Sequence, residues 1–163
     1  MKLFLLFRIG PDHYALDAKE IVEVLPLTTL KHLPEAPAWV SGLLARDGQV
    51  VPVIDINALA IGTPVASRTS TRTVLVHYRR HAEAPARLLG LRLEYATETL
   101  RCEPAEFIDS GVDAAPARYL GPVRSSGSQG LVQWIKVDAL LPDDVHARLF
   151  PDLPAADATA PGP

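Results

Sequence analysis

Asp55, the aspartate that closes the apolar run "VVPVID", is the first residue of this chain with the means to do chemistry. A carboxylate at the end of a strand can serve as a nucleophile or a metal ligand. It can equally accept backbone amides and open the next turn, here "DINAL", which is the commoner use. No carboxylate, histidine or lysine stands at a spacing that completes a site around it, so the structural role is expected. His77 and His81 in "HYRRH" have the i, i+4 spacing that places two metal ligands on one helix face. The preceding "TVLV" argues for a strand, where that spacing separates them by about 13 Å, too far to share an ion. "GPVRSSGSQG" is glycine-rich but lacks the Lys-Ser/Thr ending of a phosphate loop, and no Gly-x-Ser-x-Gly elbow occurs. Cys102, flanked by Arg101 and Glu103, has no histidine near it in sequence and reads as a small apolar strand residue. No catalytic residues, metal or cofactor are expected, which favours a binding or scaffold protein over an enzyme.

Composition agrees with that direction. At 163 residues, 48% of them hydrophobic, the chain has enough apolar surface for one domain, or two small ones packed as a unit. Sixteen Lys and Arg stand against nineteen Asp and Glu, giving a net charge of −3 and no basic stripe for nucleic acid. A single cysteine excludes an internal disulfide and fits a reducing compartment. "MKLFLLFRIG" breaks at Arg8 without a small-residue cleavage site and makes a poor signal peptide. No run approaches the roughly 20 apolar residues of a membrane span. A cytoplasmic protein without direct membrane insertion is expected.

The elements that position these residues are mostly strands. Residues 3–17 predict a hairpin around "GPD", and 18–20 a short turn before a strand in "IVEVLP". "WVSGLLA" and "QVVPVIDI" form a second hairpin around Arg46-Asp47-Gly48, with Gly48 taking the positive φ that a tight turn requires. Pro52 lacks an N–H and marks an edge, a bulge or a barrel corner. Residues 61–72 read as a linker. Strands follow at 73–79, 87–95, 96–102 and 130–137, then a helix at 142–150 and a disordered tail at 154–163. A faint repeat relates "VVPVIDINALA" to "LVQWIKVDALL". More loosely, "YALDAKEIVEVL" matches "LGLRLEYATETL", with a small residue and then leucine in register. Short strands in two similar halves predict an all-β pair of barrels.

Taken together, "FLLFRIG", "YALDAKEIVEVL" and "PAWVSGLLARDGQVVPVIDI" resemble the CheW family of chemotaxis coupling proteins. The family's pattern falls here on Gly10, Tyr14, Glu23, Pro37, Trp39, Gly42, Gly48, Pro52 and Asp55, with Gly90 and "LVQWIKVDALL" matching in the second half. The resemblance covers about residues 3–150. It implies two intertwined SH3-like five-stranded barrels in one domain, residues 1–153, with barrel one at about 10–65 and barrel two at about 73–140. The N-terminal strand and the helix at 142–150 would pack on the body.

The resemblance also implies the work. Such proteins couple the cytoplasmic helical hairpin tip of a chemoreceptor to the regulatory domain of a CheA-type histidine kinase, without catalysis, in a two-component pathway. Carried over by position, the receptor- or kinase-binding candidates are Ile21, Glu23, Gly42, Arg46, Asp47 and Thr99. The family's turn arginine falls on Asp47, with Arg46 one place earlier and able to swing into the same space. That charge reversal predicts altered partner choice. "APAWVSGLL", "VVPVIDI" and "STRTVLVHY" are most similar to coupling proteins of Wsp-type surface-sensing pathways, the WspB-type adaptors, whose output is cyclic di-GMP. A flagellar or pilus coupling protein of the same fold is the alternative, followed by a small-barrel enzyme or ligand-binding protein. The last would need a polar pocket, and no polar residues cluster in the sequence to form one.

Overall fold

The computed structural model describes residues 1–151; the tail expected at 154–163 lies outside the described residues. Nine strands among the described residues carry the fold. The first half contains β1 (Lys2–Ile9), β2 (Asp12–Asp17), β3 (Ile21–Pro26), β4 (Val40–Arg46), β5 (Gln49–Asp55) and the helix α1 (Ile56–Ile61). The second contains β6 (Arg72–Tyr78), β7 (Arg87–Cys102), β8 (Leu120–Ser125), β9 (Leu131–Ile135) and the helix α2 (Asp143–Leu149). The hairpin at 3–17, the short turn at Ala18–Glu20 and the strand after it all stand where the sequence places them.

The strands make two SH3-like barrels by exchange between the halves. In one, β3 pairs with β6, β6 and β5 pair with residues 87–93 of β7, and β4 pairs with β5; in the other, β1 pairs with β2 and the remainder of β7, β2 with β9, and β9 with β8. The expected blocks, 10–65 and 73–140, are therefore not the barrels. β2 belongs with the second-half strands and β6 with the first. Hydrogen bonding across the sheet, rather than proximity in sequence, decides membership. β7 is one continuous strand where two were expected, and it serves both barrels. Tyr95, at φ 55°, turns it from one to the other under the guanidinium groups of Arg8 and Arg68, 4.6 and 5.5 Å from its ring.

The faint sequence repeat has a physical cause. Asp55 N–H donates to the Trp39 carbonyl at 2.7 Å, and Lys136 N–H donates to the Tyr119 carbonyl at 2.8 Å. These are the same bond in the two halves, since the repeat aligns Asp55 with Lys136. The small residues Gly90 and Ala15 stand opposite Val53 and Trp134 in parallel pairs. A Cβ on Gly90 would lie 2.7 Å from Val53 Cγ2, so the register itself requires a small residue there.

Three apolar clusters form. Leu44, Val51, Val53 and Leu75 fill one barrel. Phe4, Leu6, Ala15, Phe107 and Val132 fill the other, with Phe4, Phe107 and Trp134 packed at 4.9–5.2 Å between ring centroids. A third and larger cluster lies between the barrels, where Leu5, Phe7 and Ile9 meet Val74, Val76 and Tyr78. β1 and β6 are thus apolar on both faces, one inside a barrel and one outside it. That double burial explains the unbroken runs "LFLLF" and "VLV". α2 closes this third cluster through Val145 and Phe150. The Tyr78 hydroxyl lies 2.9 Å from His146 Nδ1, and Arg148 donates to the Pro34 and Glu35 carbonyls at 2.6 Å.

β8 was missed in the sequence because glycine, proline and serine dominate it. β9 is its one partner among the named strands, with a single bridge from Val123 to Ile108 on the other side, and its register shifts between Leu120 and Val123, so Pro122 removes no ladder bond that an interior strand would need. Pro52 obeys the same rule. It pairs with Leu43 on β4, and the parallel contact of β5 with β7 begins only at Val53.

Candidate partner-binding surface

The hairpin of β4 and β5 carries the turn singled out in the sequence. Asp47 and Gly48 have φ of 49° and 76°, both in the left-handed region, and Arg46 faces Gln49 across the turn. This is the two-residue turn whose twist matches that of the flanking strands. The sequence reading gave positive φ to Gly48 alone. Asp47 shares it, and aspartate is among the few side chains that tolerate that conformation. Its carboxylate stands exposed at the tip.

Arg46 does not swing into the space of the turn arginine, as the sequence allowed. Its Nε donates to Glu23 Oε1 at 3.0 Å and its second guanidinium nitrogen donates to Oε2 of the same residue, a two-pronged ion pair between β4 and β3. That bond raises the Arg46 pKa above its usual value. Two of the six candidates therefore bind each other. The tip of the hairpin is left with Asp47 as its charge.

Gly42 is buried. A Cβ there would lie 2.4 Å from the Lys31 carbonyl oxygen, and its φ is 145°. Lys31 and Leu43 exchange backbone hydrogen bonds at 2.8 and 2.9 Å, which is why the segment presses so closely on β4. Gly42 thus supports the hairpin from within. Gly10, at φ 58°, turns the chain from β1 into β2.

Asp55, 5% exposed, answers the question of its role. Oδ1 accepts the Ala58 amide at 3.0 Å, capping α1, and Oδ2 accepts the Val65 amide at 2.9 Å. It ties the end of β5 to α1 and to the linker after it. Among the described residues no group of three His, Cys, Asp or Glu is placed to hold a metal. Cys102 is buried, and burial pushes its thiol pKa up, away from the reactive thiolate.

The remaining candidates are sorted by the face they occupy. Residues directly opposite in an antiparallel pair share a face of the sheet. Ile21 is paired with Val76 and Thr99 with Leu5, and both partners belong to the cluster between the barrels. Ile21 is half-buried against that cluster, whereas Thr99 is exposed. Val24, paired with Val74, lies on the same side and is 45% exposed. It matches Thr99 in the internal repeat. Val24 is absent from the candidates because Ile21 and Glu23 are carried over by position from the family's pattern, and regular strand alternation would put those two on one face. A bulge between Ile21 and Glu23 breaks that alternation and sends Glu23 to the other face. The inter-barrel face thus presents Val24 from one barrel and Thr99 from the other, with Ile21 beneath.

Comparison with known proteins places this geometry. The CheW-like domain family model matches residues 3–145. Protein FrzA of Myxococcus xanthus is 29% identical over 145 residues, covering 85% of this chain and 84% of that protein. The chemotaxis protein CheW of Rhizobium meliloti is 27% identical over 94 residues, covering 58% of this chain and 57% of that one. The crystal structure of the scaffolding protein TtCheW from Thermoanaerobacter tengcongensis superposes with a TM-score of 0.73 at 18% identity. It covers 86% of this chain and 88% of that one, a likeness of fold. No helix among the described residues is long and apolar enough to cross a membrane.

Proposed function

The chain belongs to the CheW-like domain family, and from that premise we propose that it is a non-enzymatic coupling protein in chemotaxis-type signalling. It joins the cytoplasmic helical tip of a methyl-accepting-type chemoreceptor to the regulatory domain of a CheA-type histidine kinase. The observation that carries the reading is the inter-barrel face, where exposed Val24 and Thr99 flank half-buried Ile21. An amphipathic helix recognises such a face by laying its apolar side along it. Gly42, Gly48, Gly90, Pro52 and Asp55 build the frame. Asp47 and the Glu23–Arg46 pair supply charge at one end. The protein works in the cytoplasm and is recruited to membrane receptor complexes through these contacts.

Titration calorimetry against a receptor-tip helical hairpin and, separately, the kinase regulatory domain tests this. Binding in the micromolar range, about −8 kcal/mol, is expected for each. Val24→Glu and Thr99→Glu should weaken the receptor fragment by about tenfold or more while leaving the melting temperature unchanged. Absence of binding to both partners by a folded protein would refute the coupling role.

The pathway we infer is a Wsp-type surface-sensing one that controls cyclic di-GMP, supported by the wording of "APAWVSGLL", "VVPVIDI" and "STRTVLVHY". Deleting the gene should lower cyclic di-GMP on surfaces and leave swimming chemotaxis intact. The reverse pattern would assign the chain to a flagellar or pilus pathway. Asp47, exposed where the family has arginine, biases receptor choice through charge. Asp47→Arg should gain affinity for a conventional receptor tip, and equal affinity before and after the change would remove that role.

A further inference from the structure

A cavity of about 710 Å³ opens beside the Ala18–Glu20 turn, bounded by the end of β6 and by β9 with the turn that follows it. None of the six partner-binding candidates lines it. Its volume falls in the range of small-molecule sites. Three cations meet there from three separate elements: Lys19 from the turn, Arg79 from just beyond β6, and Lys136 from just beyond β9. None of the three makes an ion pair among the described residues, although four of the seven ion pairs found there engage an arginine elsewhere.

The rest of the lining is equally specific. Trp134 presents its partly exposed ring, with Phe4 and Phe107 packed edge-on behind it. Glu20 and Asp138 are the two acids of the wall, and His77 and His81 add imidazoles. Glu20 Oε2 is buried without a hydrogen-bond partner, a vacancy that a ligand donor would satisfy. Burial, together with Asp17 and Asp138, pushes the Glu20 carboxyl up to about 7, so this wall opposes the cations less than its formal charge suggests. No such pocket was legible in the sequence, because its polar residues come from positions 19 to 138.

We propose that this cavity binds a small organic anion built on a planar ring, of the nucleoside monophosphate class. The anionic group would meet Lys19, Arg79 and Lys136, the ring would stack on Trp134, and a ring or sugar donor would satisfy Glu20. Charge complementarity decides against a cationic ligand, since the cations outnumber the acids. Aromatic stacking contributes sequence-tolerant affinity to such ligands, and the cations select for the phosphate. No candidate of the coupling surface lines the site, and the proposal holds whether or not that reading does.

Trp39→Phe leaves Trp134 as the sole tryptophan reporter. Titrating this variant with AMP should quench or shift its emission saturably, at sub-millimolar to millimolar concentration. Adenosine and inorganic phosphate should each bind at least about tenfold more weakly. Lys136→Glu and Arg79→Glu, both at exposed positions, should weaken AMP by about tenfold with unchanged circular dichroism and melting temperature. No saturable response to AMP overturns the proposal. So does equal binding of adenosine, or of phosphate alone, and so does indifference to both charge reversals.

Discussion

At the scale of single residues, the glycines separate by what surrounds them. Gly42 has no room for a Cβ, because the Lys31 carbonyl occupies it, whereas nothing lies within 4 Å of the position a Cβ would take on Gly48. Gly42→Ala is therefore expected to lose more than about 3 kcal/mol, from the clash and the strained φ together. Gly48→Ala should lose only about 1 kcal/mol for its left-handed conformation. Urea unfolding of both variants checks this, and similar losses would contradict it. Glu20 makes a second residue-scale prediction. Its carboxyl is held at about 7 in the folded chain, against the ordinary 4.5 in the unfolded one, first by burial and then by Asp17 and Asp138. The folded state grips that proton more tightly. The resulting stability is complete below pH 4.5 and is lost as pH rises through about 7. Glu20→Gln should remove this decline, by about 1 kcal/mol after allowance for solvent screening of a partly exposed group. Denaturant midpoints measured from pH 4 to 8 give the comparison.

At the scale of elements, Asp55 holds more than its own strand. Its two carboxylate oxygens accept amides from α1 and from the linker, while its own N–H reaches back to Trp39 at the entrance to β4. Asp55→Ala should lose about 2–3 kcal/mol, because a helix cap and a second charge-assisted bond vanish together. Asp55→Asn should lose less, since an amide oxygen still caps α1. Chemical denaturation reports the stability, and hydrogen exchange at Ala58 and Val65 reports the location. Equal protection of both amides in the alanine variant would contradict the assignment. The strand pattern was legible where both faces are buried, as in β1, β5 and β6. It failed at β8, an edge strand whose Gly121 stands against the Trp134 carbonyl, where an added Cβ would come within 2.7 Å. Composition alone marks such a strand as a loop.

At the scale of the whole molecule, exchange of strands makes each half incomplete. β1 and β2 lack a barrel without β8, β9 and the end of β7, and β3 to β5 lack one without β6 and the start of β7. Fragments cut in the linker, residues 1–66 and 67–163, should each be unfolded alone by circular dichroism and near-ultraviolet signal. Mixed or co-expressed, they should recover the native spectrum and co-elute. Independent folding of either fragment would contradict the exchange. The same topology places Val24 and Thr99 on one face, although 75 positions separate them in the chain.

Most of the elements and the family were legible in the sequence alone. Apolar runs, turn glycines and the Pro-interrupted strand are local signals, and the repeat of "VVPVIDINALA" in "LVQWIKVDALL" records one hydrogen-bonding arrangement used twice. The structural role of Asp55 was legible for the same reason: a cap acts within a few residues. The tertiary structure alone decided which strands share a barrel, which face Glu23 takes after a bulge, and that Arg46 is held by it. It alone gathered Lys19, Arg79, Trp134 and Lys136 around one cavity. Those outcomes depend on pairing between distant strands, whose register is set by packing on both faces at once, and no local pattern encodes it.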